Sequence, residues 1–501
     1  MPKMLFDHYV VLMLENRSFD HLFGRLGKGE GLPAAGVTNY LKPGDATSTA
    51  FSSRDGGDYT AIGDGPSHSL KETNLQLFGV ATPSAAMQAA APPMNGFVAS
   101  FKASLTPNLK RSPTDSELQQ VMNVFEPVQL PVLSTLANNF VLCDRWFADV
   151  PGPTMPNRAF VHAATSQGYT YNANWKPDFT CKTIYDRLNA GGQSWRVYYH
   201  DLNEVVELYP ALGKEVTNHV LFDGAFATDV AGDTLPTYSF IIPAFQGDTP
   251  NSMHAPKDVR PAEKLVADVY SALRAHIDVW KKTLLIILFD EHGGYQDHVP
   301  PPAAVSPDGI PGRLDKSFLV PFDFNRLGLR VPAILVSPWF KAEVDSTVYS
   351  HATIPGSIIE ALGLPDGFLT QRDKQAAKLT AKYLVDDGSH SWRAQTPDVT
   401  VPVQPQQLDQ IQRELLDGTV NLDPHPKNRT TMRTRDIQDP KQAQDFMRTQ
   451  VAKHIEHHLA SKGRPEAAAA MSADRQLPTA FVSPARVSEL RRSVAGGAKG
   501  G

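Results

Sequence analysis

Five short runs in this 501-residue chain, at 9–14, 194–199, 237–242, 283–289 and 331–337, are dense in apolar and β-branched or aromatic residues. A strand with one wet face alternates apolar and polar residues, whereas an unbroken apolar run suits a strand buried on both faces of a parallel sheet covered by helices. Each run is strand-sized, and none approaches the roughly 20 apolar residues needed to cross a bilayer. Between them, the stretch 261–280 sets Leu265, Val269, Leu273 and Ile277 four residues apart, predicting one helix whose apolar stripe packs on the sheet. Strands alternating with helices predict an α/β fold, a doubly wound and mostly parallel sheet flanked by helices.

Two regions fit that sheet poorly: about 28–120, rich in Gly, Ser, Asp and Pro, and the proline-rich stretch from about 386 to 435. The first is read as a long insertion and the second as a surface excursion. Proline, at 40 of 501 residues, stands above its usual share of about 5% and predicts shaped loops. Near the C-terminus, Asp439 and Pro440 predict a helix start, with a stripe of Ala443, Met447, Val451, Ile455 and Leu459 and a stop at Gly463. The His454, Glu456, His457, His458 group on that helix is read as a solvated last turn rather than a metal site. With 48 basic and 53 acidic side chains, the charge balance calls for no nucleic-acid partner. Cys143 and Cys181 fit neither a zinc spacing nor a CxxC pair and are read as buried free thiols.

Polar residues with chemical potential stand where the buried runs stop. Glu15 and Asn16 follow the run 9–14, and ligands in open α/β sheets collect at the carboxyl ends of strands. Asp290 and Glu291 end the run 283–289, followed by His292, a Gly-Gly turn and His298. Carboxylates crowded into one site raise each other's pKa and call for a cation or protons. Oxygen donors with imidazole suit Mg, Mn, Ca or Zn. Thr154 lies in the turn PGPTMPNR, ahead of Asn157 and Arg158. A hydroxyl there becomes a nucleophile only if something lowers its pKa, as a bound metal does; on spacing alone a structural turn is the simpler reading. His68, His254 and His351 lie in polar loops and are candidates for charge stabilisation, leaving-group protonation or metal binding. The GxSxG, GxxxxGK[ST], HExxH and post-strand GxGxxG patterns are all absent, which removes the usual lipase, P-loop, zincin and dinucleotide-binding readings.

Seven segments together, ENRSFDHLFG (15–24), PGPTMPNR (151–158), SWRVYYHD (194–201), NSMHAP (251–256), FDEHGGYQDHVPPP (289–302), LGLRVPAILVSPW (327–339) and YSHATIPGSIIEALGL (349–364), resemble the bacterial phosphoesterase family. That family includes phosphatidylcholine phospholipases C and a related acid phosphatase, and has an alkaline-phosphatase-like fold. The resemblance implies that Glu15, Asn16, Asp290 and Glu291 hold a divalent metal together with Thr154, with one site expected and a second allowed. It implies that Thr154 is the nucleophile, passing through a phospho-threonine intermediate. His254 and His351 would be catalytic, while His68, Asn157 and His298 would contact substrate; Arg158 and Asp297 are expected to support them.

The implied activity is metal-dependent phosphodiester hydrolysis of the phospholipase C type, on a substrate such as a phospholipid headgroup. The alternative is an acid-phosphatase-like phosphomonoesterase on the same site. An inactive binding protein would show a damaged donor set, and this one is intact. Trp175, Tyr295 and Trp339 are candidates for a choline cage, against ordinary packing. Expected partners are the phosphoester substrate, phospholipid included, with no nucleic acid and at most peripheral membrane contact. The expected organisation is a catalytic domain at 1–376 with 28–120 as its insertion or lid, an extension with a docking helix at 377–464, and a flexible tail at 465–501. The first strand starts within a few residues of Met1 with no export-signal pattern, so the expected compartment is cytoplasmic or reached by a leaderless route.

Overall fold

The computed structural model describes residues 4–173, 177–247, 250–314, 321–386, 388, 410–424, 434, 437 and 440–461. Eight strands form one sheet: β1 (His8–Leu14), β2 (Val141–Cys143), β3 (Trp195–Tyr199), β4 (His219–Leu221), β5 (Tyr238–Ile242), β6 (Thr283–Phe289), β7 (Ala333–Val336) and β8 (Glu343–Asp345). Their spatial order is β8-β2-β7-β6-β1-β5-β3-β4. The run β6-β1-β5-β3-β4 is parallel throughout, and β6 and β1 bury every residue except His8 at the edge of burial. Both faces are covered by helices, as the unbroken apolar runs require.

Two expectations are corrected. The run 331–337 forms β7, but it lies antiparallel to β6. A parallel return needs a crossover, usually a helix, and 290–332 carries no helix among its described residues. The helix expected over 261–280 stops at Arg274, and His276 takes a non-helical φ of −123° and ψ of 85°. Leu265, Val269 and Leu273 are buried as the stripe requires, but the break turns Ile277 outward, at 38% exposure, and buries Val279 and Trp280 instead.

The helices that matter to the site are α1 (Phe19–Phe23), α2 (Leu70–Phe78), α3 (Phe97–Leu109), α4 (Pro131–Asn139), α5 (Thr154–Ala163), α6 (Arg260–Arg274), α7 (Thr353–Leu362), α8 (Gln410–Thr419) and α9 (Pro440–Ser461). α4 begins after Leu130, which has no capping atom; Glu263 on α6 supplies one, accepting from the Val132 and Leu133 amides at 2.7 and 3.0 Å. Within 28–120, α2 and α3 gather a separate apolar cluster that includes Phe51, Leu77, Phe101 and Leu105 and closes on Leu329. At the other end of the chain, α9 sends Ala443, Met447, Val451 and Ile455 into the same cluster as the sheet. His454 is buried on that helix, with Nδ1 3.2 Å from the Leu422 carbonyl, so it is not part of a solvated turn. Asp439, Gly463 and the tail 465–501 lie outside the described residues. Cys143 and Cys181 are free thiols, the first buried and the second half-buried. No described helix is long and apolar enough to cross a membrane.

Candidate active site

The parallel register of β1 on β6 pairs Leu14 with Phe289, which delivers Glu15 and Asp290 side by side past the strand ends. The two loops are then laced together. The Asp290 amide donates to Leu14 O at 3.1 Å, the Asn16 amide to Asp290 Oδ1 at 3.2 Å, and the Arg17 amide to Glu291 O at 3.0 Å. Asn16 has a φ of 72°, a left-handed conformation that Asn accepts more readily than most residues. The Gly-Gly turn explains itself by contact. A Cβ on Gly293 would lie 2.2 Å from Asn16 O, and one on Gly294 would lie 2.6 Å from Ser67 O. The loop carrying Glu291 is thereby wedged between Asn16 and the loop that leads to His68.

Thr154 is the first residue of α5. The preceding turn is held by Asn157, whose Oδ1 accepts from the Val150 amide at 2.8 Å while Nδ2 donates to the carbonyls of Val150, Gly152 and Pro153, each at 3.1 Å. One turn along the helix, on the same face, Arg158 reaches the strand ends. Its Nε donates to Asp290 Oδ2 at 2.9 Å and lies 3.5 Å from Glu15 Oε1, and its Nη1 donates to Glu204 Oε2 at 2.6 Å. Glu204 also meets His162 Nε2 at 3.0 Å. Thr154, Arg158, Glu15, Asp290 and Glu291 are all fully buried.

The charges here do not balance. Glu15, Asp290 and Glu291 share one guanidinium that is also committed to Glu204. Burial, and then the charge of Asp290, push the carboxyls of Glu15 and Glu291 well above the usual carboxylate range. Asp290 is raised by burial, with Arg158 opposing. Burial works against the charge of Arg158, but Glu204, Asp290 and Glu15 raise its pKa nevertheless. Both oxygens of Glu15, both of Glu291, Asn16 Oδ1 and Thr154 Oγ1 are buried with no hydrogen-bond partner. Buried polar atoms are nearly always satisfied, so six orphaned oxygens around surplus negative charge fit a divalent cation.

A second acidic group is more tightly gathered. Asp20, Asp297 and His298 bring one ligand-type atom each to within 4.8 Å of one another, the one such trio among the described residues. Arg330 already fills that place, donating to Asp20 Oδ1 at 2.9 Å and Asp297 Oδ1 at 3.0 Å, while His298 Nδ1 sits 2.7 Å from Asp20 Oδ2. Its oxygens are satisfied by an internal cation, so it lacks the unmet demand of the strand-end set. It staples the 15–20 and 290–298 loops together.

The expected histidines divide. His68 lies beside the strand-end set, 3.4 Å from Asn16 Nδ2 and 3.8 Å from Glu291 Oε1, and its ring centre is 6.0 Å from that of His254. Burial lowers the pKa of both, and the neighbouring His68 lowers His254 further. His351 is committed elsewhere: Nδ1 accepts from Trp146 Nε1 at 3.3 Å and Nε2 donates to the Asp290 carbonyl at 2.6 Å. Asn157 therefore holds the turn and His351 the Asp290 backbone, and His298 lies in the Arg330 cluster. The aromatic cage is not assembled. Trp339 bonds to Lys281 O at 2.6 Å, at the opposite end of β6, and Tyr295 is stacked on His21 at 3.8 Å; Trp175 is outside the described residues. Glu204, the counter-charge of Arg158, escaped sequence reasoning because nothing in DLNEVVELYP marks it apart from an ordinary acidic turn.

Residues 6–365 match the Phosphoesterase family. Among curated relatives, Non-specific phospholipase C6 of Arabidopsis thaliana is 35% identical over 389 residues, covering 74% of this chain and 70% of its own length. Phospholipase C B of Mycobacterium tuberculosis is 26% identical over 425 residues, covering 75% of this chain and 77% of that protein. Solved structures with similarity include a protein in the alkaline phosphatase superfamily from Vibrio parahaemolyticus, at 12% identity and a TM-score of 0.31 over 47% of this chain and 60% of that one. Another is the lipoteichoic acid synthase LtaP from Listeria monocytogenes, at 13% identity and a TM-score of 0.33 over 66% of this chain and 86% of that one.

Proposed function

The chain belongs to the Phosphoesterase family and is a phosphoric ester hydrolase, and from that premise we propose that it cleaves a phosphodiester in the manner of a phospholipase C, with Thr154 as nucleophile. The observation that carries this reading is a fully buried Thr154 hydroxyl with no hydrogen-bond partner, one helical turn from an arginine bound to the strand-end carboxylates. A divalent ion held by Glu15, Asn16, Asp290, Glu291 and Thr154 would lower the pKa of the hydroxyl and offset charge on a phosphoryl oxygen.

The protein's own groups account for the rest. Thr154 stands at the N-terminus of a ten-residue helix, where the helix dipole favours the developing alkoxide and the phosphoryl group. Arg158 fixes the angle between α5 and the ends of β1 and β6. Thr154 Oγ1 loses its proton to solvent as it bonds to phosphorus and the ester bond to the leaving oxygen breaks, leaving the phosphoryl group on the threonine until water cleaves that new bond and a proton returns to Oγ1. Burial lowers the pKa of His68 and His254 and so disfavours their charged forms. An anionic phosphoryl group beside them opposes that shift and favours a proton on the ring, from which the leaving alkoxide can be protonated. Asn157 and His351 act by position. Phospholipid is the favoured substrate class because the relatives bear the name phospholipase C, and it entails at most peripheral contact with a membrane.

The test is a paired assay of metal-stripped and metal-reconstituted protein on p-nitrophenyl phosphorylcholine and p-nitrophenyl phosphate. Faster, metal-restored cleavage of the diester is expected. Faster cleavage of the monoester would transfer the assignment to a phosphatase, and indifference to metal would contradict the role of the strand-end carboxylates.

A further inference from the structure

Among the described residues, three arginines are buried to less than 2% exposure: Arg17, Arg158 and Arg330. Arg158 meets the carboxylates of Glu15, Glu204 and Asp290, and Arg330 meets those of Asp20 and Asp297. Arg17 meets none. Its Nε donates to the Met253 carbonyl at 2.9 Å, its guanidinium lies 4.6 Å over the Tyr295 ring and interacts with that side chain, and no carboxylate meets Nη1 or Nη2. A buried cation without a counter-ion is strongly unfavourable, and proteins do not normally retain one without an anion to meet it.

Its position indicates which anion. Arg17 follows Asn16 directly, its amide donates to Glu291 O at 3.0 Å, and its side chain bridges from Met253, the residue before His254, to Tyr295 on the loop that carries Glu291. Aspartate and glutamate surround the other two buried arginines but not this one, which follows Asn16 in the chain and bonds to the residue before His254.

We propose that Arg17 is an anion-binding residue of the active site, whose missing counter-charge is a non-bridging oxygen of the substrate's phosphoryl group and, after turnover, of the phosphate product. This rests on the proposed phosphoesterase site and adds to it a fixed cation that neither the metal ligands nor the histidines supply. Paired hydrogen bonds from one guanidinium suit a tetrahedral oxyanion, and they favour species with more negative charge on phosphorus.

The experiment uses the full-length metal-loaded protein, inorganic phosphate as probe, and the variants Arg17→Met and Arg17→Lys. Phosphate is titrated as an inhibitor of p-nitrophenyl phosphorylcholine cleavage, and thermal unfolding is followed with and without phosphate. For Arg17→Met, the inhibition constant is expected to rise by about tenfold or more and the stabilisation by phosphate to disappear. Without phosphate, its Tm should equal or exceed that of the parent, because a buried unpaired charge has been removed. Arg17→Lys should recover part of the phosphate response, and gives the same reading if the methionine variant does not fold. A lower Tm with an unchanged phosphate response would show a packing role and overturn the proposal, as would phosphate inhibition that is not competitive with substrate. If neither nitrophenyl ester is cleaved, the functional reading fails, while the phosphate-dependent Tm still decides the role of Arg17.

Discussion

Arg158 joins the helix that presents Thr154 to the strand ends that present the carboxylates. In metal-stripped protein, replacing it with methionine would leave Glu15, Asp290 and Glu204 buried without their guanidinium, a change expected to cost about 3–5 kcal/mol in urea unfolding. Sequence reading placed Arg158 only in support, because its partner Asp290 is 132 residues away and no local pattern reveals that pairing. By contrast, the placement of Glu15, Asn16, Asp290 and Glu291 at strand ends was legible, since each pair stands immediately after an apolar run of strand length. The carboxyls of Glu15 and Glu291 carry raised pKa values in the fold. A group raised on folding contributes stability that is full below its unfolded pKa and lost as pH rises through the folded one. Metal-stripped protein is therefore expected to lose thermal stability as pH climbs above the ordinary carboxylate range. Adding a divalent cation at neutral pH should restore it, and Glu291→Gln should weaken both the pH dependence and the metal response. A flat Tm between pH 5 and pH 8 in the stripped protein would contradict this.

Loops and caps position those residues, and they were legible only in part. The Gly-Gly pair at 293 and 294 reads as a turn in sequence, but its need for two missing side chains appears only when the Asn16 and Ser67 carbonyls are in place. Gly293→Ala adds a clash to a left-handed φ of 63°, and is expected to lower stability and metal affinity together, measured by thermal unfolding and metal titration. Glu263→Ala removes the cap that α6 provides to α4; its expected cost is about 1–2 kcal/mol in urea unfolding, with catalysis per folded molecule unchanged. The break of α6 before His276 was hidden because the four-residue apolar spacing continues through Ile277, and only the burial of Val279 and Trp280 shows that the chain turns there. The antiparallel setting of β7 was hidden for a related reason, since an apolar run records that a strand is buried and not which way it points.

At the scale of the whole molecule, the sheet and the C-terminal helix α9 share one apolar cluster, through Ala443, Met447, Val451 and Ile455. Met447→Ala is expected to cost about 2–5 kcal/mol and to lower a single unfolding transition, with the helix and the sheet melting together by circular dichroism and tryptophan fluorescence. Two separated transitions would make the extension an independent unit. The mostly parallel sheet was legible as a whole because helices cover both of its faces, and that same burial leaves the ends of β1 and β6 as the place where polar chemistry collects. Thr154 is a proposed site residue whose role its turn alone does not distinguish from structure. The most direct test is to mix metal-loaded protein with p-nitrophenyl phosphorylcholine, quench in acid within the first turnovers, and map the protein by mass spectrometry, beside Thr154→Ala. The expected result is a phosphoryl-containing adduct on the Thr154 peptide, with turnover reduced by about 10³-fold or more in a folded Thr154→Ala protein; turnover at the parent rate by Thr154→Ala would contradict the covalent mechanism.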